Sequence, residues 1–198
     1  MNLQQLDWEM MCEKYWLWFY PEPRTDHPCL DDTGDRVSRS QNTRDLFFLA
    51  GPVDRKEYER TLRIQAKGKK IFMPIIFCTF AATELPRGAD LIGAANKDID
   101  GTRFIKVDKS DSIIVEDIRR VRVSKLFKVK VADPPFFEVA YKGEGAKKIE
   151  PGEQEASSDG YWLLTKPLDA GQHIISANVQ TKEDNDWKAG VKYNLEVV

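Results

Sequence analysis

Histidine and cysteine are scarce in this 198-residue chain, which has two of the first and three of the second. With so little imidazole there is no His-x-His cluster for a cupin-type metal site. Cys12, Cys29 and Cys78 lack the Cys-x-x-Cys spacing of a zinc or redox centre, and an odd count of three makes no disulfide framework. Free thiols and a reduced, cytoplasmic setting are expected. No apolar run approaches the roughly 18 residues of a membrane span, so no helical membrane protein and no membrane partner are expected. The first residues lack a basic segment, and Asp7, Glu9 and Glu13 interrupt any apolar stretch, unlike a signal peptide. An excess of one charge is missing too. The 30 basic and 32 acidic side chains leave a formal charge of -2, which disfavours nucleic acid as a partner. Neither a Gly-x-Ser-x-Gly elbow nor a phosphate-cradling Gly-x-x-x-x-Gly-Lys motif occurs, and no metal or cofactor is expected.

What is present is enough for a core. Apolar residues make up 41% of the chain and aromatics 11%, and a chain this long buries about 70% of its extended surface. The expectation is one domain over 1–198: an aromatic helix at 1–20, a loop at 21–44 and a β-sandwich at 45–198. Leu3, Leu6, Met10, Tyr15, Trp16 and Phe19 approximate a helical period that Pro21 and Pro23 stop. From residue 45 the pattern becomes β. Leu46–Ala50 is a short apolar run, and Gly68 fits a hairpin turn into Ile71–Phe77, where Pro74 marks a bulge or an edge. Residues 84–97 are the other helical candidate. Residues 120–131 alternate, with Val121, Val123, Phe127, Val129 and Val131 on one parity, and Lys125-Leu126 breaks the alternation as a bulge would. Strands are also expected at Phe136–Tyr141, Tyr161–Thr165, His173–Gln180 and Val191–Val198. Eight or nine strands with few helices imply an antiparallel sandwich, jelly-roll-like or immunoglobulin-like. Its core should include Phe47, Leu49, Phe72, Ile75, Trp162, Leu164 and Ile175, with part of the aromatic helix.

Several constellations admit a chemical and a structural reading. Asp31-Asp32-Thr33-Gly34-Asp35 offers carboxylates for a hard cation or for acid/base work, or simply an Asx-type turn. Asn96-x-Asp98-x-Asp100-Gly101 starts like a calcium loop, but Val107 stands where the bidentate Glu is needed, so a helix-ending turn fits better. His173 shares parity with Ile175, Ala177 and Val179, as an inward histidine or a pocket-lining one. His27 lies in the proline-rich loop with no partner nearby in sequence. Arg119–Lys130 holds six basic residues and no acidic one. It could face an anion or RNA, or be a solvated edge guarded by lysine.

Four ordered segments carry a resemblance across nearly the whole chain. They are Asp32-Thr33-Gly34 with Gln41; Phe48-Leu49-Ala50-Gly51; Gly68-Lys69 with Ile71-Phe72-x-Pro74-Ile75; and Asp159-Gly160-Tyr161-Trp162 with Pro167-Leu168-x-x-Gly171-x-His173-x-Ile175. Together they resemble a family of uncharacterised, mostly bacterial and often secreted β-rich proteins. The resemblance implies a shared β-rich fold and no established activity. It also implies that two cysteines of secreted members correspond to Val37 and Leu62 here, an apolar pair suited to a reducing compartment.

Three functions follow as expectations. The first is a non-catalytic binding or interaction module for a small molecule or a protein. The second is an enzyme on a small or glycan-like substrate, with Asp31, Asp32 or Asp159 as acid/base and Tyr161, Trp162 and His173 lining the pocket. The third is an anion or RNA binder using the 119–130 strand. The site is expected where the Asp31–Asp35 loop meets Asp159–Trp162, unless Asp159-Gly160 is only a turn and Trp162 fills the core.

Overall fold

The computed structural model describes residues 7–53, 57–85, 87–100, 104–109, 115–137, 149–180 and 188–198. Among these the chain is mainly β, with two α-helices, Trp8–Phe19 (α1) and Leu91–Asp100 (α2). The strands are Leu46–Phe48 (β1), Glu57–Ile64 (β2), Lys70–Ala81 (β3), Phe104–Lys109 (β4) and Val115–Arg122 (β5). They continue with Phe127–Val131 (β6), Gly152–Pro167 (β7), Gly171–Gln180 (β8) and Lys188–Val197 (β9). One sheet has the order β1-β3-β7-β5, with β6 also on β7, and the other β2-β9-β8-β4.

Both sheets are mixed, which corrects the antiparallel expectation. β1 runs parallel to β3, and β2 parallel to β9, while β4–β8, β8–β9 and β6–β7 are antiparallel. The expected hairpin at Gly68 fails for the same reason. The turn closes with Lys69 N–H on the Ala66 carbonyl at 2.9 Å, but it sends β2 and β3 into different sheets. A local turn signal says that the chain reverses, not which strand each side will pair with.

The chain divides into two compact units: 1–27, 78–99 and 121–159 form the first, and 28–77, 100–120 and 160–198 the second. In the first unit, Asp7 caps α1 by accepting from Glu9 N–H at 3.0 Å. Met11, Cys12, Tyr15, Trp16, Trp18 and Phe19 are buried. They form a stripe at i, i+1, i+4, i+5, i+7 and i+8, and α1 packs on β6. Residues 1–6 of the expected helix lie outside the described residues. His27 does have partners. It is fully buried, 4.2 Å from the Phe19 ring and 4.1 Å from that of Phe136, with Nε2 3.2 Å from the Phe19 carbonyl. Most of the strand expected at Phe136–Tyr141 lies outside the described residues, and Phe136 and Phe137 form a bend. The second helix starts at Leu91 rather than 84, where Asp90 Oδ1 accepts from Gly93 N–H at 3.0 Å. It runs through Asn96 to Asp100, and Gly101, where the calcium-like stretch was expected to end the helix, lies outside the described residues.

The interruption at Lys125-Leu126 divides the 120–131 strand into β5 and β6, both against β7. Val123 N–H donates to the Ser158 carbonyl, yet Phe127 already stands opposite Ala156. Four steps along one strand therefore match two along its neighbour, which is a bulge of two residues. In the second unit, all seven expected core residues are buried. Pro74 lies in β3 between β1 and β7 rather than on an edge strand, two residues past Phe72, the last partner of the short β1.

Candidate functional site

In the second unit, Asp31 is buried and its carboxylate is committed to its own loop. Oδ1 accepts from Thr33 N–H at 3.0 Å and from the Thr33 hydroxyl at 2.7 Å, and Oδ2 accepts from Arg36 N–H at 2.8 Å. Burial raises its pKa, but the donors from Arg36, Thr33 and Gly34 outweigh that and hold the carboxyl below the ordinary range. Gly34 follows with φ of 87°. A Cβ there would also sit 2.6 Å from Leu62 Cδ2, so this loop requires glycine twice over. Asp32 is exposed. The geometry is that of an Asx turn opening a 3-10 turn at Asp35–Ser38.

The reason for that loop lies in a residue the sequence reading passed over. Arg60, on the inward face of β2, is fully buried. Its Nε donates to the Asp31 carbonyl and Nη2 to the Cys29 carbonyl, both at 2.8 Å, and Nη1 donates to Tyr193 Oη at 2.7 Å. The guanidinium also lies 4.5 Å from the Tyr58 ring and 5.5 Å from that of Tyr193. Among the described residues its hydrogen-bond acceptors are carbonyls and a phenol, none a carboxylate. Burial pushes the Tyr193 phenol up to about 12 even though the Arg60 charge pulls it down. Arginine at an inward position of an alternating strand was the sequence signal available.

The other segments of the resemblance do similar work. Gln41 donates to the carbonyls of Val37 and Phe48 at 2.7 and 2.9 Å and accepts from Phe48 N–H at 2.9 Å. Trp162 is fully buried and stacks on Phe72 at 4.9 Å with planes 8° apart. Tyr161 is half-buried on the opposite parity. His173 pairs with Leu195 near the start of β8, half-exposed, with Nε2 2.9 Å from the Asp169 carbonyl.

Asp159 belongs to the first unit. The Asp159-Gly160 pair is not a turn but lies inside β7. The carboxylate is fully buried, with Oδ2 3.2 Å from Arg122 Nε. Burial pushes the Cys12 thiol well up, and the charges of Glu9 and Asp159 add to the effect. Of the six candidates, then, Asp31, Asp32, Tyr161, Trp162 and His173 lie in the second unit and Asp159 in the first. The basic strand is threaded with acids: Arg120 pairs with Asp100 at 2.7 Å, Arg119 with Asp117, and Lys128 and Lys130 stand opposite Glu155 and Glu153.

Two further features of the first unit escaped the sequence reading. Glu84 is buried, and its Oε1 accepts from Ala81 N–H at 3.1 Å and Tyr20 Oη at 3.3 Å. Tyr20 Oη is also 3.0 Å from Thr79 Oγ1, which donates to the Ser157 carbonyl at 2.9 Å. Burial raises the Glu84 carboxyl to about 7 against both donors. Glu84 is the first charge after the uncharged run 71–83, and that was its signal. The second feature is a groove of about 280 Å³ lined by residues that include Ala82, Asp90, Leu91, Ile92, Leu126 and Glu155.

Cys12, Cys29 and Cys78 are free thiols. Among the described residues no three His, Cys, Asp or Glu are grouped to hold a metal, and no helix is long and apolar enough to cross a membrane. The chain matches no protein-family model and no curated protein.

Proposed function

We propose that this protein is a non-catalytic binding module that engages a partner through the groove beside α2. The observation that carries the reading is an open concavity whose lining is apolar and polar in equal parts, with Leu126 42% exposed in it. An exposed leucine beside polar groups in a concavity is a feature of recognition surfaces. Of the carboxylates first considered for catalysis, Asp31 is committed to its own loop and Asp159 lies against Arg122. The same reading takes the two mixed sheets as layers of a sandwich and the free thiols as those of a reduced, cytoplasmic protein. It also keeps the resemblance to the uncharacterised β-rich family as a likeness of fold, since Gly34, Gln41, Phe72 and Trp162 all serve packing. Selection of a displayed random-peptide library on the full chain tests the function. An enriched sequence whose binding is lost with Leu126→Asp supports it; no enrichment, or binding indifferent to that variant, overturns it.

A second reading is favoured by Glu84. A buried carboxyl raised to about 7 beside a phenol suits general acid/base work on a small substrate. Turnover of any compound in a hydrolase substrate panel, abolished by Glu84→Gln in a protein that stays folded, would favour it.

A further inference from the structure

We infer that the groove beside α2 receives one lysine or arginine side chain from an extended segment of a partner protein. This rests on the binding-module reading and names what that site takes. Among the described residues that line the groove, Ala82, Leu91, Ile92 and Leu126 are aliphatic, Asp90 and Glu155 are the charged ones, and none is basic. Long basic side chains bury their methylene stems on such walls and leave the cation at a polar rim. A purely apolar side chain would use the walls but leave both carboxylates without a counter-charge. About 280 Å³ is room for one such side chain, not for a helix face.

Glu155 is available for this role. It is exposed, and among the described residues it makes no hydrogen bond or ion pair, although Lys128 stands opposite it in the β6–β7 register. Asp90 uses Oδ1 to cap α2 through Gly93 N–H and also lines the groove. Both carboxylates are solvent-exposed, so screening limits the preference for a cation to about three- to tenfold.

The test is an NMR titration of the full chain with acetyl-Gly-Arg-Gly-amide and its norleucine counterpart. The expected result is perturbation at Asp90, Leu91, Leu126 and Glu155, with the arginine peptide about three- to tenfold tighter at low salt. Glu155→Gln and Asp90→Asn should bring its affinity to the norleucine level; asparagine still caps the helix, so the fold is kept. Lys128→Ala should tighten the arginine peptide by removing the competing cation. Equal affinity for both peptides at these residues overturns the basic occupant while leaving the binding module standing. Perturbation by neither peptide, or only elsewhere, also overturns the basic occupant, and the binding module then stands or falls on the Leu126→Asp selection.

Discussion

The guanidinium of Arg60 donates to the phenolic oxygen of Tyr193 at 2.7 Å, and neither side chain reaches solvent. Tyr193 Oη in turn donates to the Ala50 carbonyl at 2.8 Å. Arg60→Met would fill much of the volume but leave the Cys29 and Asp31 carbonyls without their donor. A loss of about 3 kcal/mol or more is expected in urea unfolding. Arg60→Lys should also lose about 2 kcal/mol, because a point charge cannot serve acceptors set around a planar fork. An unchanged midpoint in both variants would mean that the cage contributes nothing.

Glu84 makes the stability of the protein sensitive to pH near neutrality. Its folded pKa of about 7 lies above its ordinary value of 4.5, so the folded state favours the protonated acid. The contribution is fully present below about 4.5, declines as pH rises through the folded pKa, and is lost above it. Its size is about 3 kcal/mol. The difference in unfolding free energy between wild type and Glu84→Gln, measured at pH 5 and pH 8, should change by roughly that amount. A constant difference would place Glu84 in an ordinary, solvated setting.

Gly160 is needed for closeness rather than for turning. A Cβ there would lie 2.6 Å from the Ile76 carbonyl and 3.0 Å from Phe77 Cα, both backbone atoms that cannot swing aside. Gly160→Ala should therefore cost about 2 kcal/mol or more and lower the melting temperature. A variant as stable as wild type would show that the backbones separate freely.

The thiols should differ in reactivity. Cys12 and Cys29 are buried and Cys78 only partly so. Alkylation of native protein without reductant should label Cys78 first and leave Cys12 and Cys29 until unfolding, after which all three label. Early labelling of Cys12 would contradict the packing of α1.

How much of this could be read from the residues depends on how local each cause is. The burial of Phe72, Ile75, Trp162 and Ile175 follows from alternation, and so does the bulge at Lys125-Leu126, because both are periodicities within one strand. The parallel pairing of β2 with β9 is not local: Glu57 meets Gly190, and nothing near either residue encodes the other. The site behaved likewise. The Asx-type turn at Asp31 was legible because its partners, Thr33 and Arg36, are loop neighbours, whereas the Arg60 cage closes through Tyr193, 133 residues away. Asp159-Gly160 read as a turn because that pair usually makes one, whereas here the lost side chain lets two backbones approach. Glu84 acquires its character only from burial, which no neighbour in sequence announces.

β9 stands between β2 and β8 in its sheet, yet it follows both in the chain. A polypeptide leaving the ribosome thus exposes β2, β4 and β8 before the strand that joins β2 to the others exists. Until then β2 is an eight-residue strand with Tyr58, Leu62 and Ile64 on its apolar side and no partner from its own sheet. The second unit is therefore built to close late, and the interval during synthesis is when it is most open to pairing with another chain.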